Sequence, residues 1–339
     1  MQTVSPHPAA SEVASMRAIV QTEYGSPDVL QLKEVDRPVP QAHEVLSKVQ
    51  ASSVHAGIWH LMRGTPFLIR LIFGGLRKPK IQILGNDVAG RVEVVGQDMT
   101  EFQPGDEVFG DLSECGFGAF AEYVCAPATA LALKPKPLTF VEAAAVPTSA
   151  LAALQALRDV GQLQPGQQVL VNGAAGGVGS FAIQLAKELG AEVTGVCHTN
   201  KVAMVRSLGA DQVIDYTQTD ITQTEQRYDL IIDTAAYRSV LDWLPTLTPQ
   251  GTYVLVGGAT PRFFQAMLLG PMLTQITGKS VKCLSSTVQQ DDLVTLKELL
   301  EAGQLVPHLD RTYPLAEVPA AIRYLEQRQV QGKVAIQIG

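Results

Sequence analysis

The stretch Val169–Gly190 constrains this chain more than any other. It runs from the apolar strand Val169-Leu170-Val171-Asn172 through the turn Gly173-Ala174-Ala175-Gly176-Gly177-Val178-Gly179 into the helical pattern Ser180–Leu189. A dinucleotide pyrophosphate makes three mechanical demands: a small residue for the tight turn, a glycine where backbone meets phosphate, and a glycine at the helix–strand contact. The turn offers all three. Free amides and the positive dipole end of the following helix then hold the phosphates. Gly173, Ala174, Gly176, Gly177, Val178 and Gly179 are therefore candidate cofactor-binding residues. A second strand, Val193–Val196, completes the unit.

The surrounding pattern fits this unit into a larger sheet. Strands at Tyr228–Asp233 and Gly251–Val256 alternate with helical stretches at Lys201–Leu208 and Ser239–Leu247, with a short strand at Gln212–Asp215. Such alternation marks βαβ units and a parallel sheet. The continuous apolar runs Val169-Leu170-Val171 and Leu230-Ile231-Ile232 suit strands covered on both faces. Before Pro137 the texture differs: short strands at Ala18–Thr22, Val29–Val35, Glu44–Ala51, Ala89–Val95, Glu107–Gly110 and Ala121–Ala126 are punctuated by Gly and Pro turns, which suggests a partly open barrel. The helical Thr139–Ala156 joins the halves. After Ser285 come a helix, Asp291–Ala302, and a closing strand, Val334–Ile338. The expected division is a leader over residues 1–15, a barrel-type catalytic domain over 16–137, a doubly wound nucleotide-binding domain over 138–285, and a return to the first domain over 286–339.

Charge and cysteines narrow the function classes. The 339 residues carry 26 basic and 33 acidic side chains, net −7, without the basic excess of a nucleic-acid binder. The four cysteines are scattered, which suits neither a disulfide framework nor a structural zinc lobe and points to a reducing, cytoplasmic setting. No apolar run is long enough to span a bilayer. Residues 1–15 lack the basic and apolar regions of a secretory signal.

The end of the second strand bears on cofactor choice. An NAD-preferring site places a carboxylate there for the ribose 2′-hydroxyl. This chain reads Cys197-His198-Thr199-Asn200-Lys201, with no carboxylate, and Thr199 and Lys201 could hold a 2′-phosphate. NADPH is the expected cofactor, with NADH an open alternative.

Met16-Arg17-Ala18, Gly85-Asn86-Asp87-Val88-Ala89-Gly90, Pro104-Gly105-Asp106-Glu107-Val108, Ala143-Ala144-Ala145-Val146-Pro147, the glycine turn, Leu208-Gly209-Ala210-Asp211 and Gly332-Lys333-Val334 are pieces found together in one family. In them the chain resembles the medium-chain dehydrogenase/reductase superfamily from Met16 to Gly339, and within it the zinc-independent quinone oxidoreductase branch. The resemblance implies a GroES-like β-barrel catalytic domain, a Rossmann domain and a cleft between them. It implies that Lys201 and Tyr216 stand at the 2′-phosphate and that Val256-Gly257-Gly258 lies beside the nicotinamide. Lys333, in the last of the shared pieces, is counted with the cofactor-binding residues. It also implies a homodimer through the edge of the Rossmann sheet.

Zinc-dependent relatives carry cysteine and histidine ligands where this chain has His55, Asn86-Asp87 and the Val146-Pro147 region. A catalytic zinc needs about three protein ligands, so no metal is expected. The zinc-free branch usually shows Asn-Pro-x-Asp where this chain reads His55-Ala56-Gly57-Ile58. His55 is the candidate catalytic residue, as hydrogen-bond donor or proton source, or else a packed histidine at a strand end. Without a Lewis acid or strong base, hydride transfer to a quinone or an α,β-unsaturated carbonyl is favoured over alcohol oxidation. An NADPH-binding protein with little turnover and a zinc-type alcohol dehydrogenase remain as alternatives. The segments Thr65–Lys80 and Arg262–Lys279 are more apolar than connectors require. They line a pocket for an apolar small molecule, touch a membrane at its periphery, or bury against the cleft or a second subunit.

Overall fold

The structure, a computed structural model, describes residues 14–73 and 75–339. The leader expected over residues 1–15 falls outside this range except for Ala14 and Ser15, and Ser15 already begins the first strand.

The barrel domain holds β1 (Ser15–Val20), β2 (Gln31–Asp36), β3 (Glu44–Val54), β4 (Asp87–Val95), β5 (Glu107–Asp111), β6 (Tyr123–Pro127) and β7 (Leu131–Leu133). The Rossmann sheet holds β8 (Gln168–Asn172), β9 (Glu192–Cys197), β10 (Gln212–Asp215), β11 (Tyr228–Asp233), β12 (Leu247–Leu255) and β13 (Ser280–Cys283), in the order β10-β9-β8-β11-β12-β13. Every pairing in that sheet is parallel. β14 (Leu309–Pro314) and β15 (Lys333–Gln337) return to the barrel, whose sheet runs β14-β15-β3-β4-β5-β7, with β6 on β3. The chain is thus an α/β protein with a GroES-like barrel and a Rossmann domain.

The alanine-rich stretch expected as one helix is two. Phe140–Ala144 starts with a capping box, Thr139 exchanging bonds with Glu142. The second helix, Pro147–Gln155, takes Pro147 in its first turn, where the missing N–H has no intrahelical acceptor to lose. The helix expected over Ser239–Leu247 stops after Trp243, because Pro245 cannot extend it, and β12 starts earlier than its apolar pattern indicates. Thr260–Thr277, an apolar segment of uncertain form in the sequence, is one long helix. No helix among the described residues is long and apolar enough to cross a membrane.

The two domains share a core. Ala51, Ala89 and Phe109 of the barrel belong to the same buried cluster as Val169, Val171 and Ile232 of the Rossmann sheet, joined through Ala150, Leu151 and Leu154 of the connecting helix. That cluster sets the walls of the cleft between the domains.

The glycine turn is held by close packing. A Cβ on Gly179 would lie 2.2 Å from the carbonyl oxygen of Gly173, a backbone clash that no rotamer relieves. Gly179→Ala is therefore expected to cost about 3 kcal/mol or more in chemical denaturation. Gly166→Ala, at φ +81° with open space around it, should lose only about 1–2 kcal/mol. Equal midpoints for the two variants would contradict this reading of the turn.

Candidate active site

A cleft of about 560 Å³ opens at the C-terminal ends of β8 and β9, where doubly wound sheets bind ligands. Gly173, Gly176 and Gly177 line it. Gly173 has φ +81°, and a Cβ there would sit 2.4 Å from Thr234 Oγ1. Gly176 caps the helix Gly177–Glu188 without a side chain, so the first amides of that helix are open to a ligand. Ala174 is buried and supports the turn from below, its amide donating to Val196 O at 3.0 Å. Val178 packs into the core and Gly179 against Gly173. These three shape the turn and leave the contact with the cleft to the glycines.

Lys201 and Tyr216 also line the cleft. Lys201 Nζ donates to the carbonyl oxygens of Val330 (2.7 Å) and Arg328 (3.1 Å), and burial pulls its pKa down. Thr199 Oγ1 donates to Asp215 Oδ2 at 2.6 Å. That contact corrects the sequence reading, which found no carboxylate here. The register pairs Asp215 of β10 with Cys197 of β9, so the carboxylate arrives from the neighbouring strand. The Thr199 hydroxyl, with the amide and hydroxyl of Thr217, keeps the Asp215 carboxyl below its ordinary range. Sequence reasoning also missed Tyr237, Arg238 and Arg328, which line the same cleft. The Arg328 guanidinium lies 4.8 Å from the centre of the Tyr237 ring, and Arg238 pairs with Asp220 at 3.0 Å. Arg328 comes from the return segment, more than a hundred residues from the turn, so no local pattern announces it.

Val256, Gly257 and Gly258 follow β12 and stand outside the walls of this cleft. Val256 packs on the shared core, and Gly258 takes φ +121° against Ala235 O.

His55 and Lys333 lie in a second, buried assembly of polar side chains. His55 caps the helix Ala56–Arg63: its Nδ1 accepts from the amide of Gly57 at 3.1 Å. The other ring nitrogen, Nε2, therefore carries the proton and donates to Asn86 Oδ1 at 2.7 Å. Asn86 Nδ2 donates to Asp111 Oδ1 (2.9 Å) and Thr148 Oγ1 (2.7 Å). Asp87, fully buried, accepts from the amide and hydroxyl of Thr148, from the Ser53 hydroxyl and from Lys333 Nζ at 3.1 Å. Lys333 Nζ also bonds Ser149 Oγ at 3.1 Å. Burial drives the His55 pKa down and keeps the ring neutral. For Asp87 burial acts upward, but the Lys333 ammonium and the Ser53 and Thr148 hydroxyls outweigh it and hold the carboxyl low. Lys333 thus sits under the glycine turn, its stem 3.0 Å from where a Cβ of Gly177 would lie, with its charge turned to Asp87 rather than to the cleft.

The description "Alcohol dehydrogenase GroES-like domain" matches residues 41–136, and "Zinc-binding dehydrogenase" matches residues 208–336. The 2-methylene-furan-3-one reductase of Solanum lycopersicum is 32% identical over 335 residues, which cover 95% of this chain and 79% of that one. The chloroplastic NADPH-dependent alkenal/one oxidoreductase of Arabidopsis thaliana is 33% identical over 341 residues, 96% of this chain and 81% of that one. Among solved structures, the quinone oxidoreductase from Coxiella burnetii superposes with a TM-score of 0.87 at 29% identity, covering 96% of this chain and all of that one.

The residues here do not fit the zinc that one of those descriptions names. Both ring nitrogens of His55 are engaged, an amide stands at Asn86, the Asp87 carboxylate is neutralised by an ammonium, and the buried Asp111 carboxylate is taken up by Asn86, Thr148 and the Ser113 amide. A divalent cation would have to displace that charge. Among the described residues, no three His, Cys, Asp or Glu side chains converge on a point that could hold a metal.

Lys333→Met leaves Asp87 as an unpaired buried charge and is expected to cost about 3–5 kcal/mol, most of which Asp87→Asn in the same chain should restore. Additive losses in denaturant titrations of the double variant would contradict the pairing. The His55 pKa is lowered in the fold, so the unfolded chain binds more protons below its free value of 6.5. Its contribution is complete above that pH and is lost as pH falls. The melting temperature should therefore drop from about pH 6.5 toward 5, and His55→Asn should flatten part of that slope. His60, also lowered by burial, supplies the remainder, which His60→Asn isolates.

Proposed function

This chain belongs to the medium-chain dehydrogenase/reductase superfamily, in its quinone oxidoreductase-like branch, and is an oxidoreductase; on that premise we propose that it reduces quinones or α,β-unsaturated carbonyls with NADPH and without a metal. The observation that carries this reading is the buried Lys333–Asp87 pair beside a fully engaged His55, in the place where a zinc-type alcohol dehydrogenase needs open ligands. Alcohol oxidation needs a Lewis acid or base to take the hydroxyl proton. Reduction of a conjugated carbonyl needs neither, because the anion formed is delocalised. The names of the two plant relatives, a furanone reductase and an alkenal/one oxidoreductase, support the same acceptor class.

When bound, the nicotinamide supplies the hydride. The chain's own residues bind and orient. The free amides in the first turn of the helix Gly177–Glu188 meet the pyrophosphate, with Gly173 and Gly176 allowing the approach. Lys201 and Tyr216 receive the 2′-phosphate, and Arg328 adds positive charge to the same cleft. Val256, Gly257 and Gly258, which follow β12 beyond the walls of the cleft, stand at the nicotinamide end on the family's pattern alone. His55 acts as a positioning residue: its ring fixes Asn86 and the start of the helix Ala56–Arg63, and it has no free nitrogen to hand a proton to substrate. The proton that completes the reduction comes from water. A second copy pairs along the open edge of the sheet at β13, flanked by the exposed Met267, Leu268 and Ile276. The four free cysteines suit a cytoplasmic enzyme.

The test is NADPH oxidation over a panel of quinones, enones and simple alcohols, with zinc measured in the same preparation. Turnover of quinones or enones is the expected result; alcohol oxidation with stoichiometric zinc would overturn it. Lys201→Ala should raise the KM for NADPH roughly 10- to 100-fold, the loss of a charge-assisted bond, and leave the KM for NADH unchanged. Equal effects on both cofactors would remove Lys201 from the 2′-phosphate.

A further inference from the structure

The segment between the helix Ala56–Arg63 and β4 leaves an apolar face without a partner. The short helix Phe67–Ile72 is anchored from below: Ile69 packs against the barrel core, Arg70 Nε donates to Gly64 O at 2.9 Å, and the Arg70 guanidinium lies 4.5 Å from the centre of the Tyr24 ring. Leu68, Leu71 and Ile72 are left uncovered beside those anchors, with Phe67, whose ring centre lies 5.8 Å from the Arg70 guanidinium, Phe73, whose ring meets Phe117 edge-on at 5.9 Å, and Leu76. All six are exposed, Ile72 to 66% and Phe67 to 60%. Single exposed apolar side chains are ordinary on a soluble surface, but six within ten residues form a patch of the kind that marks a binding face.

The charge around the patch is of one sign. From Val45 through Asn86 there is no Asp or Glu, and the six charged residues are Lys48, Arg63, Arg70, Arg77, Lys78 and Lys80, in a chain whose net charge is −7. Arg77, Lys78 and Lys80 are exposed. None of the three takes part in an ion pair among the described residues.

We propose that this face, the apolar side chains Phe67 to Leu76 rimmed by Arg77, Lys78 and Lys80, docks the protein on an anionic phospholipid bilayer. Apolar side chains enter the boundary between headgroups and acyl chains while the basic rim meets the lipid phosphates, the division of labour of an interfacial segment. A second copy fits poorly, because a twofold contact would set the same basic rims against each other. The anchors at Ile69 and Arg70 present the face already formed, so binding orders little of the chain.

Flotation of the purified full chain with vesicles decides this. The protein should float with phosphatidylcholine vesicles that contain phosphatidylserine and stay behind with pure phosphatidylcholine, and raised salt should release it. Each basic residue near an anionic surface changes partitioning about five-fold, so Arg77→Glu/Lys78→Glu/Lys80→Glu should weaken binding at least about a hundred-fold. Leu71→Asp/Ile72→Asp should abolish flotation at an unchanged melting temperature. If that variant does not fold, the charge-reversal variant, altered only at exposed positions, carries the test. The proposal is overturned if the wild type ignores phosphatidylserine vesicles, or if either folded variant floats like wild type. It is also overturned if light scattering finds copies joined through this face, in an association that Leu71→Asp/Ile72→Asp breaks, without vesicle binding.

Discussion

The ion pair between Lys333 and Asp87 is the contact on which the rest of the site depends. Asp87 opens β4 and Lys333 opens β15, so the pair closes the barrel between an early strand and the last one. Both residues are essentially out of water. Removing two charges from water costs several kcal/mol each, and their attraction offsets that only where hydrogen bonds satisfy what remains. Here they do: Ser53 and Thr148 complete Asp87, and Ser149 joins Lys333. Thr148 and Ser149 belong to the helix Pro147–Gln155, which leads into the nucleotide-binding sheet. One salt bridge thus ties the barrel, the closing strand and the connecting helix together directly beneath the glycine turn.

That position links two features that look independent. The turn needs glycine at 177 partly because the stem of Lys333 and the hydroxyl of Ser149 each lie 3.0 Å from where a Cβ would be. The backbone has to come close to a dinucleotide on one side and already touches the ion pair on the other. Gly332, the neighbour of Lys333, donates its amide to Ala175 O at 2.8 Å, a second tie between the closing strand and the turn. The geometry of the glycine turn therefore depends on a strand that enters the fold more than 150 residues later.

The sequence made the fold legible wherever periodicity was strong. Parallel strands such as Leu230-Ile231-Ile232 and the glycine turn announced themselves, because burial on both faces and a tight phosphate turn leave few choices of residue. Helix boundaries were less legible where proline decides them, as at Pro147 and Pro245. Part of the candidate site was also visible: Gly173, Gly176, Gly177, Lys201 and Tyr216 line the cleft. The remainder was hidden because it is assembled across sequence distance. Lys333 belonged to a family motif, but nothing local says that its charge faces Asp87. Asp215 reads as the end of a short strand, and only the parallel register with β9 brings its carboxylate to Thr199. His55 suggested chemistry by residue type, whereas its surroundings give it a capping bond and a neutral ring.

Lys201 shows how the same cleft is poised for an anion. An ammonium has three donors, and two of them go to the carbonyls of Arg328 and Val330, which draws the return segment of the barrel domain onto the Rossmann domain. Neutral carbonyls satisfy hydrogen bonds but do not neutralise charge, and no carboxylate pairs with Lys201 among the described residues. Burial therefore lowers its pKa, and the Asp310 carboxylate opposes that shift without cancelling it. Asp215, across the strand end, is occupied by hydroxyls and a backbone amide rather than by a cation. A phosphate entering between them would meet a positive group with one donor to spare and a carboxylate already screened by donors. The balance at this end of the cleft then lies with the cation, although a carboxylate stands beside it.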